Sequence, residues 1–312
     1  MKKAKYQLDK DLKFLENQAL FPCIYVYPLV NLFIGMITCK SDENVSVRKV
    51  KTPGYNGQKL TTLIIEPRDS AGSDDKLPCM VFYHGGGILL KAVQSHYQFA
   101  KWYAAKAKCK VVMPDYRLMP KYRFPVATMD CYKTYEWVLD NADMLGIDKD
   151  KIIMTGDSAG ATLVGEVFFM LKDNKLTLPI GTLMVYPALD RRMNTQSMRK
   201  FVDTPVLNSR TSKMFWDEYL KGAVPEKKEY ASPLEAQSFD QFPRTYIEVA
   251  EFDSLHDDGV LLADRLREEK IPVEFHEVKG SCHGYEVALG SRIVKDALDR
   301  RISWIQAVLE EH

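Results

Sequence analysis

The feature that most constrains this chain is the pentapeptide Gly156-Asp157-Ser158-Ala159-Gly160. It stands between two apolar stretches of different character. Before it, Lys151-Ile152-Ile153-Met154-Thr155 is short and β-branched, as a buried strand is; after it, residues 161–170 are apolar over a helix-length run. A serine framed by small residues at such a junction suits a sharp strand-to-helix turn that lifts its hydroxyl clear of the backbone. The pentapeptide alone is a weak signal, so other residues must supply the rest of a site.

Upstream, Tyr83-His84-Gly85-Gly86-Gly87 follows directly on Pro78-Cys79-Met80-Val81-Phe82, which reads as an interior parallel strand. Three successive glycines lose much backbone entropy on folding, and an ordinary loop tip would carry Ser, Asn or Asp instead. Their presence predicts backbone N–H groups held close to a developing negative charge.

A serine hydroxyl needs a neighbouring base, and the chain has six histidines. His276 lies in an alternating, strand-like run, His96 in a helical stretch, and His256 at a helix start. His84 belongs to the glycine loop and shapes it, and His312 is terminal. His283 is the candidate base, because Gly280-Ser281-Cys282-His283-Gly284-Tyr285 reads as a loop past a strand's carboxyl end, where open α/β sheets place their chemistry. For the acid that orients it, Asp253 follows the strand-like run of residues 244–250, with Glu251 the alternative. Asp257 and Asp258 open the next helix, where acids serve as caps. The order Ser158, Asp253, His283 is serine, acid, histidine.

With these motifs in hand, the chain resembles the hormone-sensitive-lipase-like carboxylesterases of the α/β-hydrolase fold over residues 45–310. The resemblance extends to Asp115-Tyr116-Arg117-Leu118-Met119-Pro120, to Phe124-Pro125-Val126-Ala127 with Asp130, and to Ser232-Pro233-Leu234. It implies a mostly parallel sheet with helices on both faces and a helical cap. It also implies oxyanion N–H groups from Gly86, Gly87 and Ala159, with Asp115 and Arg117 bracing the fold. Met119, Lys121, Ala161 and Ile88 depart from the family pattern, and Ile88, where an aromatic is common, bears on the pocket's shape.

Residues 20–38 are nearly long enough to span a membrane, but Pro22, Pro28 and Asn31 interrupt them and acids precede them. The resemblance makes residues 1–44 a cap segment instead, with Phe21, Tyr25, Tyr27, Leu32 and Phe33 turned toward an acyl pocket. Residues 190–228, which break the βαβ rhythm, form a second cap piece that brings Phe215 and Trp216. The core is residues 45–189 and 229–312. Phe21, Tyr25, Ile88 and Phe215 are the candidate substrate-binding residues.

A formal net charge of +1 over 312 residues gives no field for nucleic acid or an anionic membrane. Six cysteines without C-x-x-C spacing predict a reduced, cytoplasmic protein, and no metal or cofactor motif occurs. Cys282 stands beside His283, but adjacency in sequence does not make a nucleophile–base pair, and Ser158 already fills that role. The resemblance also allows two copies to pair through the sheet edge near the last strand. The expected function is hydrolysis of short to medium acyl esters through an acyl-enzyme. An amidase or sugar-ester deacetylase on the same groups, or a non-catalytic receptor on the same fold, are the alternatives.

Overall fold

The computed structural model describes residues 5–21, 23–70 and 75–311, with Ser70 described by its backbone alone. Pro22, one of the helix-breaking residues invoked above, and His312 lie outside the described residues. In chain order the elements are α1 (Tyr27–Ile34), β1 (Val45–Pro53), β2 (Lys59–Pro67), β3 (Leu77–Tyr83), α2 (Gln94–Ala107), β4 (Lys110–Pro114), α3 (Val126–Asp140), α4 (Ala142–Leu145) and β5 (Ile147–Asp157). There follow α5 (Ala159–Asp173), β6 (Gly181–Val185), α6 (Gln196–Lys200), α7 (Ser209–Tyr219), β7 (Arg244–Phe252), α8 (His256–Glu268), β8 (Val273–Cys282) and α9 (Arg292–Glu310), with short 3₁₀ turns between.

The eight strands form one sheet in the order β1-β2-β4-β3-β5-β6-β7-β8. β2 runs antiparallel to both β1 and β4, and every later pairing is parallel. The chain therefore leads with a hairpin and continues as βαβ crossovers, with helices covering both faces.

Strand alternation divides the core. On β3, Cys79, Val81 and Tyr83 pack among α3 and α5, whereas Met80 and Phe82 face α2 and α9; on β5, Ile152 and Met154 take the first face and Ile153 the second. α5 is buried all round from Ala159 to Leu171, as a helix wedged between the sheet and its neighbours must be. Arg117 and Asp130 tie the hairpin to α3, since the guanidinium donates twice to the fully buried carboxylate and once to the Tyr55 carbonyl. Asp115 does not share in this brace through its side chain. It is exposed and 3.6 Å from Lys91.

Of the long N-terminal apolar stretch, only eight residues make α1. Pro28 sits in its first turn, where the missing N–H costs nothing, and Gly35 ends it. Among the described residues no helix is long and apolar enough to cross a membrane. Asn31 fastens α1 to the loop after the three glycines, donating to the Leu89 carbonyl at 2.7 Å and accepting from the Lys91 N–H at 3.0 Å.

Candidate active site

Ser158 stands at the turn from β5 into α5 with φ of 53° and ψ of −124°. This backbone is unfavourable for an L-residue and is held by its surroundings. Gly160 shows why the frame must be small, because a Cβ there would lie 2.0 Å from the Tyr83 carbonyl oxygen. The strained turn aims the hydroxyl toward the carboxyl ends of the strands, where the other motif residues gather.

There the Ser158 Oγ is 2.9 Å from His283 Nε2, and His283 Nδ1 is 2.7 Å from Asp253 Oδ2. Asp253 is fully buried, and its Oδ1 accepts the Leu255 N–H at 2.9 Å. β8 continues to Cys282, one residue short of the base, so His283 leaves the strand end directly and not after a loop of several residues. Glu251 points elsewhere and accepts the Gly280 N–H at 2.7 Å. The three residues can move a proton from Ser158 to His283 while the Asp253 carboxylate fixes the imidazole and balances the charge it acquires.

The glycine loop lies beside the hydroxyl. Gly86 and Gly87 have φ of 109° and 65°, so both adopt backbone that glycine favours. Their N–H groups and that of Ala159 donate to no described residue, and all three residues share cleft walls with Ser158. Asp157 holds the loop down by accepting the Gly85 N–H at 2.9 Å. His96, read from sequence only as a helical residue, donates from Nε2 to that same carboxylate at 3.1 Å. His84 stacks on Tyr116 at 4.5 Å with Nδ1 against the Gly85 carbonyl, and burial pushes its imidazole down to about 4. It is neutral and shapes the loop.

A buried charge network that the sequence reading does not single out backs the imidazole. Tyr186 packs on the His283 ring with centroids 4.5 Å apart and donates its hydroxyl to Glu286. Glu286 and Glu248 both pair with Arg301, which is 1% exposed. Burial pushes Glu286 up; for Glu248 burial acts the same way but is outweighed by the Arg301 guanidinium and by hydrogen bonds from Tyr285 and Tyr246, leaving its carboxyl below the usual range. Burial likewise pushes the Cys282 thiol up to about 12, so it carries no thiolate at neutral pH.

Two clefts flank Ser158. One, of about 420 Å³, is lined by Gly87, Ile88, Ala159, Thr162, Phe215 and Tyr219 among others, and His283 is not in its wall. The other, of about 600 Å³, is bounded by His283, Gly86, Tyr186, Val206 and Leu20. Of the four candidate substrate-binding residues, Ile88 and Phe215 thus reach a cleft. Trp216 both lines the first cleft and belongs to the core. Phe21 and Tyr25 do not line either cleft: they are 57% and 65% exposed, because Ile24 and Tyr27 take the inward positions of that turn. Leu32 and Phe33 also face outward, at 68% and 64%. Among the described residues of the first 44, only Leu20 lines either cleft, and it lines the second.

Asp258 has more than a capping part. It is fully buried, burial pushes it up to about 8, and it accepts the N–H groups of Leu189 and Asp190. That ties α8 to the loop leaving β6.

Known proteins share this fold. The chain is 32% identical to an arylesterase of Saccharolobus solfataricus over 66% of its own length and 67% of the relative's. It is 26% identical to an ethyl acetate hydrolase of Pseudomonas putida over 89% of its length and 86% of the relative's. Among solved structures, a bacterial heroin esterase superposes with a TM-score of 0.87 at 27% identity, covering 97% of this chain and 98% of that one. Residues 80–287 match the family described as alpha/beta hydrolase fold, and the chain belongs to that family, within its hormone-sensitive-lipase-like carboxylesterase branch.

Proposed function

We propose that Ser158, His283 and Asp253 make this protein a serine carboxylesterase for short to medium acyl esters. The Ser158 oxygen attacks the ester carbonyl as His283 Nε2 takes its proton, and the carbonyl oxygen, now an anion, meets the N–H groups of Gly86, Gly87 and Ala159. Collapse breaks the bond to the alcohol, which leaves with the proton from His283. Water then attacks the acyl-enzyme by the same route and releases the acid. Asp253 orients His283 throughout.

The observation that carries this reading is the relay of 2.7 and 2.9 Å contacts ending beside three N–H groups that donate to no described residue. The alcohol must leave beside the imidazole that protonates it, so the cleft walled by His283 takes the leaving group and the other takes the acyl chain. Residues 190–228 act as a cap that brings α7 over the acyl side; residues 1–44 contribute Leu20 to the leaving-group side. The name of the Pseudomonas relative supports a small acyl group. Five buried free thiols support a cytoplasmic location, and β8, which ends the sheet, supports pairing of two copies there.

Substitution Ser158→Ala tests the mechanism: kcat should fall by a factor on the order of 10⁴–10⁶ with the fold retained. A p-nitrophenyl phosphonate should label Ser158 in the wild type. A tenfold loss or less, or a label on another residue, would show that Ser158 is not the nucleophile.

A further inference from the structure

α7 presents Ser212, Phe215, Trp216 and Tyr219 to the acyl cleft, the i, i+3, i+4, i+7 spacing of one helical face. From the opposite wall, α5 runs away from Ser158 with Thr162 one turn along and Glu166 two turns along. At about 1.5 Å rise per residue, Glu166 stands about 12 Å beyond the nucleophile along the helix. Thr162 lines the cleft; Glu166, fully buried, does not. Between Glu166 and the cleft stands Tyr219.

Tyr219 is held there from several sides. Its hydroxyl is 3.0 Å from Glu166 Oε2 and 2.8 Å from Thr128 Oγ1, while Thr128 Oγ1 donates to Glu166 at 2.6 Å. Its carbonyl accepts the Phe124 N–H at 3.0 Å, and the Phe124 ring meets it edge-on at 5.7 Å. The preceding residue, Glu218, pairs with Arg123. Each of the three oxygens lies within hydrogen-bond distance of the other two, so the polar groups satisfy one another. Burial pushes Glu166 up to about 8, with the bonds from Thr128 and Tyr219 pulling the other way. The cluster is complete without solvent, which is how buried polar groups avoid a desolvation penalty.

We infer that Tyr219, pinned by Glu166 and Thr128, is the floor of the acyl cleft and sets the acyl length the enzyme accepts; this rests on the esterase reading above. Less the thickness of the tyrosine, about 12 Å leaves room for an acyl chain of roughly six carbons, each adding about 1.3 Å in a chain of C–C bonds near 1.5 Å. Tyr219 is a specificity residue, and Glu166 acts through it as a positioning residue.

The test is kcat/KM on p-nitrophenyl esters from acetate to decanoate, and on acetate esters of alcohols from methyl to hexyl. The wild type, Tyr219→Ala, Tyr219→Leu, Glu166→Ala and Glu166→Gln are compared, each checked for folding by circular dichroism. The wild type should fall steeply beyond hexanoate. Tyr219→Ala or Tyr219→Leu should raise the decanoate-to-butyrate ratio by about 10- to 100-fold, since each added methylene is again buried. Glu166→Ala should move the ratio in the same direction, and Glu166→Gln, which keeps a donor and an acceptor, should restore it. The alcohol series should not shift in any variant. An unchanged acyl profile in both Tyr219 variants, an unmoved Glu166→Ala, or a shift confined to the alcohol series would overturn the inference while leaving ester hydrolysis standing. A wild type inert to every ester would overturn both.

Discussion

Replacing Asp253 by asparagine exchanges one oxygen for an amide nitrogen and should nearly abolish turnover. Asp253 Oδ1 accepts the Leu255 N–H at 2.9 Å and Oδ2 faces His283 Nδ1 at 2.7 Å. In the Asp253→Asn variant the side-chain carbonyl oxygen keeps the Leu255 bond, so the amide nitrogen must face the ring. That nitrogen can only donate, which makes Nδ1 the acceptor and puts the ring proton on Nε2. Nε2 is the atom 2.9 Å from Ser158 Oγ, and a protonated Nε2 cannot take the serine's proton. The loss should reach about 10⁴ in kcat, equivalent to about 5.4 kcal/mol of barrier. Steady-state hydrolysis of p-nitrophenyl butyrate measures it, with circular dichroism to check the fold. Glu251→Gln is the control, because Glu251 only accepts the Gly280 N–H and glutamine can do the same. A tenfold loss or less in Asp253→Asn, or a larger loss in Glu251→Gln, would refute the assignment of the acid.

Other perturbations separate stability from chemistry. Arg301→Met takes the cation from buried Glu286 and leaves Glu248 to the more distant Arg300, 3.8 Å away, and should cost about 3–5 kcal/mol in urea unfolding; a cost under about 1 kcal/mol would mean that the network contributes little. Glu166 binds its proton more tightly folded than unfolded, so its contribution to stability is present below the unfolded pKa near 4.5 and lost as pH rises through about 8. Wild type should therefore lose up to about 5 kcal/mol relative to Glu166→Gln between about pH 4 and 9, and parallel stability curves for the two would contradict this. Phe21→Ala and Tyr25→Ala, at exposed side chains outside both clefts, should leave the acyl-length profile as it is, and a shifted optimum would return the N-terminal segment to the acyl side.

What the sequence discloses here is what local backbone demands. The turn at Ser158 needs small neighbours at fixed offsets, and the glycine loop needs positive φ and free N–H groups, so both are written in a few contiguous residues. Asp253 and His283 can be picked out because strand-like runs end just before them. The N-terminal segment shows the limit of this reasoning. Its apolar residues are plain, but periodicity does not say which positions find a partner, and Ile24 and Tyr27 take the inward places while Phe21 and Tyr25 stay in solvent. Asp258 hides its part for a related reason. An acid in the first turn of a helix looks like a cap, and only the fold brings the Leu189 and Asp190 N–H groups onto it. His96 carries no signal either, until α2 lays it against Asp157.

The buried charges behind His283 follow from the same principle, taken further. Tyr186 comes from the residue after β6, Glu248 from β7, Glu286 from the turn after β8 and Arg301 from α9, so no spacing in the chain could relate them. Their arrangement has a consequence for the reaction. Asp253 fixes only one edge of the imidazole, and a ring held at one edge can still swing about that bond. Tyr186 closes the ring's face at 4.5 Å, and its hydroxyl is fixed by Glu286, whose charge is in turn held by Arg301. A proton relay needs its atoms kept within a few tenths of an ångström of the productive geometry. Burying an arginine and two glutamates is a costly way to make a core, and replacing such groups with apolar residues is often neutral or stabilising. Here the ion pairs end on a ring that the chemistry requires to stay still, so rigidity at His283, more than stability of the fold, gives the physical reason for placing charge in that interior.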